Sequence, residues 1–202
     1  MEIEGFLKIK FRDGKHIRQE GICKIRDIFD KEDVISVDIE GKANFINLKS
    51  KTINLCGEFK GNEIIGENIF IDGKVKMSLI TTDKLEIILS ENKDSKIDSV
   101  ICNNLLVKIR KEEQKPIMNT YFKKLFSGFN KYQENKKTTL WIDNIKADKV
   151  EISNCCIDKI EAKSVIVNDN CKINKLFYGE LIVKGKNIII KEKFNLKEGE
   201  EK

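Results

Sequence analysis

The residues of this chain that could perform chemistry are one histidine and six cysteines. The histidine is His16, and the cysteines are Cys23, Cys56, Cys102, Cys155, Cys156 and Cys171. No two cysteines have the two-residue spacing that is typical of a zinc site, and His16 is distant from most of them in sequence. We therefore predict no metal site, and we interpret the cysteines as buried free thiols that pack as small hydrophobic residues.

Acidic residues could supply the paired carboxylates of a glycosidase or a lyase. They fall mainly at polar positions of alternating segments, as at Asp148, Glu151, Glu161 and Asp169, which is typical of a solvated surface. The glycines are dispersed and lack the following Lys-Ser or Lys-Thr of a phosphate-binding loop. The sequence therefore predicts a non-enzymatic protein without catalytic residues and without a cofactor.

Charge and hydropathy narrow the class of protein further. The 202 residues carry 38 basic and 33 acidic side chains, and a net charge of +5 is too small and too mixed to indicate nucleic-acid binding. No segment approaches the roughly 20 apolar residues of a membrane-spanning helix, and charges interrupt the apolar residues of the N-terminus. We expect a cytoplasmic protein.

A short sequence pattern that recurs along the chain indicates which secondary structure positions these side chains. The pattern aliphatic-x-small-x-x-aliphatic-x-aliphatic occurs seven times, and successive copies start 16, 16, 20, 45, 15 and 16 residues apart. The copies start at Leu48, Ile64, Ile80, Val100, Ile145, Ile160 and Leu176. Their third residue is small except in the last copy, where it is Tyr178. Gly41, Gly57 and Gly73 also recur sixteen residues apart.

Recurrence of residue types in phase predicts a β-solenoid, in which short strands stack coil upon coil and like side chains lie over one another. A sandwich of antiparallel hairpins would also contain short strands, but it would not require this phase. The predicted solenoid core comprises Leu48, Ile53, Leu55, Ile64, Ile69, Ile71, Ile80, Leu85, Ile87, Val150, Ile152, Ile160, Val165, Val167, Leu176, Leu181 and Val183. We expect Trp141, the only tryptophan, to pack at the start of the second array.

Residues 111–139 interrupt the repeat and predict one amphipathic α-helix, since apolar residues recur there at helical spacing from Ile117 to Tyr132. This helix could pack on the side of the solenoid or bridge its halves. Alternatively, it could insert into a membrane interface with its lysines on the polar face. It could also bind in a groove of a partner protein, or the segment could be a disordered loop. The candidate membrane or partner contacts are Met118, Tyr121, Phe122, Leu125, Phe126 and Phe129.

The repeat resembles that of bactofilins, which are bacterial polymer-forming cytoskeletal proteins. The residues that carry the resemblance are Ile53-x-Leu55-x-Gly57-x-Phe59-x-Gly61, Ile64-x-Gly66 and Ile69-x-Ile71-x-Gly73-x-Val75. The second half, from Ile145 to Tyr178, is similar to a divergent Gram-positive branch of the family. The resemblance implies an all-β, right-handed, triangular β-helix with coils of about 16 residues. It also implies filaments that form without a nucleotide by stacking of solenoid ends.

These observations predict the organisation and the function together. We expect a cap or irregular coils at 1–33, solenoid at 34–110, the inserted segment at 111–139, continuing solenoid at 140–191 and a charged tail at 192–202. The expected function is that of a cytoplasmic scaffold for cell shape, envelope or motility. Its partners would be itself, the membrane surface or another bactofilin-like protein. The alternative is a monomeric membrane-peripheral adaptor that acts through the inserted helix.

Overall fold

The computed structural model describes residues 3–4, 7–12, 16–28, 35–90, 94–110 and 138–199. These residues form ten strands and a 3-10 helix at Leu196–Gly199. The strands are β1 (Ile3–Glu4), β2 (Leu7–Arg12), β3 (His16–Ile28), β4 (Ser36–Lys49), β5 (Thr52–Leu89), β6 (Ser95–Ile109), β7 (Leu140–Ile152), β8 (Cys155–Val167), β9 (Lys172–Val183) and β10 (Ile189–Asn195).

The strands from β3 to β10 form one parallel sheet in sequence order, so that each strand pairs with the next one along the chain. The register between β4 and β5 joins Ser36 to Thr52, which is a displacement of one sixteen-residue coil. A sheet of this order is a β-solenoid. The predicted all-β parallel solenoid is therefore confirmed.

Side chains of the same kind stack along the solenoid. Leu85 of β5 pairs with Leu105 of β6, which pairs with Val150 of β7, and the column continues through Val165 to Leu181. The buried members join a single hydrophobic cluster that extends from Ile17 to Leu176. Because each coil covers the next, strands too short to bury a face alone share one continuous core.

The predicted core residues lie inside this cluster with two exceptions at the C-terminal end. Leu181 is only partly buried, and Val183 is 50% exposed. The next strand, β10, pairs with residues 172–178 of β9 and does not reach either position. Trp141 also differs from expectation, since its side chain is 51% exposed on the outer surface.

A ladder of glycines forms one corner of the N-terminal coils. Gly21, Gly41, Gly57 and Gly73 have φ angles of 107°, 124°, 138° and 136°, which side chains rarely permit. A Cβ on Gly57 would lie 1.9 Å from the carbonyl oxygen of Gly41, and one on Gly73 would lie 2.0 Å from that of Gly57. Both the φ angle and the close approach of the coils therefore require glycine.

A ladder of asparagines forms the corresponding corner of the C-terminal coils. Asn154, Asn170 and Asn187 have φ angles of 54°, 57° and 58°, in the left-handed region that asparagine tolerates. The amide nitrogen of Asn187 donates to the side-chain oxygen of Asn170 at 3.0 Å, and Asn170 donates to Asn154 at 3.4 Å. These side chains connect three successive coils.

Two longer connections leave the stacking unchanged. β5 and β6 pair at an offset of twenty residues, as at Lys76 and Lys96, and β6 and β7 pair at an offset of 45, as at Ser95 and Leu140. Residues 111–137, which carry most of the predicted helix, lie outside the described residues. The part of the chain that the structure does describe contains no α-helix.

Candidate assembly surfaces

The N-terminal end of the solenoid is covered by strands that run against its direction. β2 pairs antiparallel with the first half of β3, from Leu7 beside Gly21 to Arg12 beside Ile17, and β1 pairs antiparallel with its second half. The first coil, formed by β3, therefore does not offer a free parallel edge along these residues. A second solenoid could not continue the stack there without displacing β1 and β2.

The C-terminal end carries a lysine where the column above it is aliphatic. Lys193 of β10 pairs with Leu176, which stands in the column of Ile145 and Ile160. Lys193 is exposed, and a charge in register with the core column of an edge strand opposes the addition of another strand, because stacking would remove the ammonium group from water. No strand among the described residues pairs with the other edge of β10.

Apolar side chains surround this C-terminal end. The rings of Phe177 and Phe194 stack at 4.6 Å between centroids, and the ammonium group of Lys159 lies 5.0 Å from the centroid of Phe177. Ile182, Val183, Ile189, Phe194 and Leu196 are each between 43% and 56% exposed. The end is therefore apolar around its rim and charged at the position that continues the core.

One long side of the solenoid, which we call the divided face, is basic in its N-terminal half. Its basic half contains Lys42, Lys60, Lys74 and Lys76 with one acidic residue, Glu58. Glu58 lies 3.0 Å from Lys42, whereas the other three lysines form no ion pair with any residue that the structure describes. Lys76 stacks on Lys96 of the next coil. Like charges at stacked positions destabilise a sheet by a few tenths of a kcal/mol or more.

The C-terminal half of the divided face carries both charges. It contains Asp94, Asp98, Asp143 and Asp158 together with Lys96, Lys172 and Lys191. Three of the aspartates occupy the same position in successive coils, next to the paired residues Ile97, Ile142 and Ile157. Lys96 lies 3.1 Å from Asp98 and 3.3 Å from Asp143. Asp158 accepts a hydrogen bond from Asn174 at 2.7 Å and, within the described ranges, forms no ion pair.

A shallow groove follows the small residues of another corner. Gly66, Thr82, Cys102 and Ala147 line its floor. Burial raises the pKa of the Cys102 thiol to about 12, with a smaller contribution from the charge of Asp148. A thiol with this pKa remains protonated at neutral pH and is a poor nucleophile. The groove therefore exists because the side chains at this corner are small, and Cys102 is not a reactive thiol.

Cys155, Cys171 and His16 make structural contacts. Cys155 and Cys171 are buried free thiols in hydrogen-bonding contact, and burial raises the pKa of Cys155 while the hydrogen bond from Cys155 lowers that of Cys171. His16 is exposed, and its Nδ1 lies 2.7 Å from Ser36 Oγ on the next coil. Across the described ranges, no three His, Cys, Asp or Glu side chains are grouped closely enough to hold a metal ion.

The candidate contacts predicted from Met118 to Phe129 lie outside the described residues, so the structure does not test them. Sequence reasoning missed the divided face, although its signal was present. Lys60 and Lys76 lie sixteen residues apart, and Asp143 and Asp158 lie fifteen apart, which match the coil displacements of the two halves. A search for charged residues that recur at the same coil spacing as the apolar residues would have found both the lysines and the aspartates.

None of the helices in the described part of the chain is long and apolar enough to cross a bilayer. Comparisons of the chain with protein-family models, with curated proteins and with solved structures found no match.

Proposed function

We propose that this protein is a non-enzymatic structural scaffold of the bactofilin-like kind, and that it self-assembles. The observation that supports this most directly is the uninterrupted stack of in-register coils, whose interior consists of apolar side chains from Ile17 to Leu176. A parallel solenoid of this kind is an elongated rod, and its outward positions recur at the spacing of the coils. Such a surface offers many equivalent contacts to another copy or to a partner.

The distribution of chemistry favours a scaffold over an enzyme. None of the charged side chains that the structure describes is buried, and several pair across neighbouring coils, as Lys108 does with Glu86 and Lys163 does with Asp148. The Arg110 guanidinium likewise pairs with Asp72. Ion pairs of this kind link neighbouring coils at the surface of the rod. They are not the arrangement of a general acid and a general base around a bound substrate.

The finer features of the proposal follow from the resemblance to bactofilins. We infer a right-handed, triangular coil and a role in organising cell shape, envelope or motility in the bacterial cytoplasm, at the membrane surface or with another bactofilin-like protein.

Sedimentation velocity of the purified full chain over a wide range of concentration, combined with negative-stain electron microscopy, tests the proposal. We expect species larger than the monomer whose fraction grows with concentration, and elongated particles in the images. A single monomeric species at every concentration would contradict self-assembly. A monomer that co-sediments with anionic vesicles would favour a membrane-peripheral adaptor instead.

A further inference from the structure

We propose that the divided face binds the surface of an anionic membrane, with the length of the rod lying along the lipid headgroups. The contact is made by the line of residues along the middle of this face, which we call the central column. This inference rests on the proposed function for placing the protein at a membrane, and it adds the surface through which the contact forms. It does not depend on self-assembly.

The central column contains one residue from each of eight successive coils, and none of the eight is acidic. Its members are Asn44, Lys60, Lys76, Lys96, Trp141, Cys156, Lys172 and Ile189. The sequence neighbours of Lys76, which are Val75 and Met77, are buried, so alternate residues such as Lys76 project away from the core. Seven coil spacings of ~4.8 Å make the column about 34 Å long.

The composition of the central column is that of a protein surface that meets lipid headgroups. Lys60, Lys76 and Lys172 are exposed, and they form no ion pair with any residue that the structure describes. Trp141 and Ile189 are 51% and 56% exposed in the same line. Lysine is attracted to anionic headgroups, whereas tryptophan and aliphatic side chains enter the boundary between the headgroups and the acyl chains.

The acidic residues of the divided face lie along its two edges. They are Asp98, Asp143 and Asp158 along one edge and Glu58 and Asp94 along the other. Lys96 lies 3.1 Å from Asp98 and 3.3 Å from Asp143, and Lys42 lies 3.0 Å from Glu58. Because these three carboxylates are neutralised within the chain, the unpaired lysines leave the middle of the face positive.

Two features favour a lipid surface over a soluble anion. The lysines of the central column are dispersed over several coils, so a single phosphate group cannot contact them all, whereas a membrane presents many headgroups at once. Ile22 and Ile46 are 65% and 45% exposed on the same face, beside Lys42 and two residues after Asn44. These aliphatic side chains can leave water at a membrane, but they find no apolar partner in a nucleic acid backbone or a polyphosphate.

Charge-reversal variants of the full chain test the inference by co-sedimentation with vesicles. Lys60→Glu with Lys76→Glu reverses the charge of the central column. Lys84→Glu with Lys149→Glu is the matched control, since it changes the net charge equally at exposed positions outside the divided face. Vesicles of phosphatidylglycerol and phosphatidylcholine in equal parts supply the anionic surface, and phosphatidylcholine vesicles supply the neutral one. Thermal unfolding establishes that each variant is folded.

We expect the original chain to bind the anionic vesicles and not the neutral ones. Lys60→Glu with Lys76→Glu should bind the anionic vesicles at least about tenfold more weakly, because two attractive charges become repulsive. The control should bind to within about twofold of the original chain, since salt screens charges on the far sides of the rod. The fluorescence of Trp141, the only tryptophan, should shift to shorter wavelength on binding as the indole leaves water.

Phe122→Asp with Phe126→Asp separates the divided face from the predicted inserted helix, which is the other candidate for membrane contact. We expect this variant to bind the anionic vesicles as the original chain does, because the central column is unchanged. Loss of binding in this variant, with no loss in Lys60→Glu with Lys76→Glu, would overturn the inference and assign the contact to the inserted segment.

Other outcomes would also overturn the inference, and they are distinct from failure of the proposed function. No binding to the anionic vesicles, equal binding to the neutral ones, or equal weakening by the control would exclude the divided face as a membrane contact. Binding to soluble polyphosphate or nucleic acid without binding to vesicles would replace the membrane with a soluble anion. Self-association is measured without vesicles, so a monomer that binds vesicles through the divided face would contradict self-assembly alone and support the inference.

Discussion

The two halves of the solenoid turn the same corner with different residues. In the N-terminal coils the corner residue is glycine at φ angles from 107° to 138°, whereas in the C-terminal coils an asparagine turns the chain at φ angles from 54° to 58°. Glycine permits the turn because it lacks a Cβ, so adjacent backbones can approach closely. Asparagine tolerates a less extreme φ angle and adds a side chain that bonds to the next coil. The two corners should therefore respond differently to mutation.

Gly57→Ala should have the largest effect of the substitutions considered. The new Cβ would lie 1.9 Å from the carbonyl oxygen of Gly41, and the φ angle of 138° is strained for alanine. We expect a loss of at least about 4 kcal/mol in the free energy of unfolding, or failure to fold. Urea unfolding followed by circular dichroism measures this loss.

Ser78→Ala, at an exposed position of the same strand, is the control and should change the free energy of unfolding by less than about 0.5 kcal/mol. A Gly57→Ala protein as stable as this control would show that the glycine ladder is not required.

The next largest effect is expected in the buried core of the first half, at Ile71. It can be compared with the exposed end of the second half, at Val183. Ile71 is fully buried, so Ile71→Ala should cost about 2–5 kcal/mol through lost burial and a residual cavity. Val183 was also a predicted core residue, but it is half exposed, and Val183→Ala should cost less than about 1 kcal/mol. Thermal or urea unfolding of both variants measures the difference, and equal losses would mean that the C-terminal end is covered in solution.

The asparagine corner should show a smaller effect than the glycine corner or the buried core. Asn170→Ala removes the hydrogen bonds to Asn154 and Asn187 and leaves alanine in the left-handed region, which should cost about 1–2 kcal/mol. Asn170→Gly loses the same bonds but accepts the φ angle, so we expect roughly half that loss. Comparison of the two unfolding midpoints separates the backbone cost from the side-chain contribution. Equal losses for the two variants would mean that side-chain bonding, and not the φ angle, dominates this corner.

The solenoid could be predicted from sequence alone because the core residues recur once in every coil. Ile53 and Leu55 repeat as Ile69 and Ile71 one coil later, since stacked positions need side chains of matching size. Gly57 and Gly73 were predicted to share a column for the same reason, and the structure places them in contact. Features that recur at the coil spacing can therefore be inferred without coordinates.

Features that depend on the neighbouring coil were not predictable in this way. Gly21 continues the glycine ladder but lies twenty residues before Gly41, so a search at sixteen missed it. The exposure of Val183 depends on how far β10 extends beneath β9. The asparagine ladder was missed because a polar residue in the left-handed region is not distinguishable from a surface loop by hydropathy.

The long connection between β6 and β7 has a consequence for how such a chain can change over time. β6 ends at Ile109 and β7 begins at Leu140, and yet Ser95 and Leu140 pair as directly as strands joined by an ordinary turn. We therefore expect that segments of other lengths can be inserted between these two strands without altering the stacked coils. Evolution or protein engineering could add an activity at this corner while the framework stays the same.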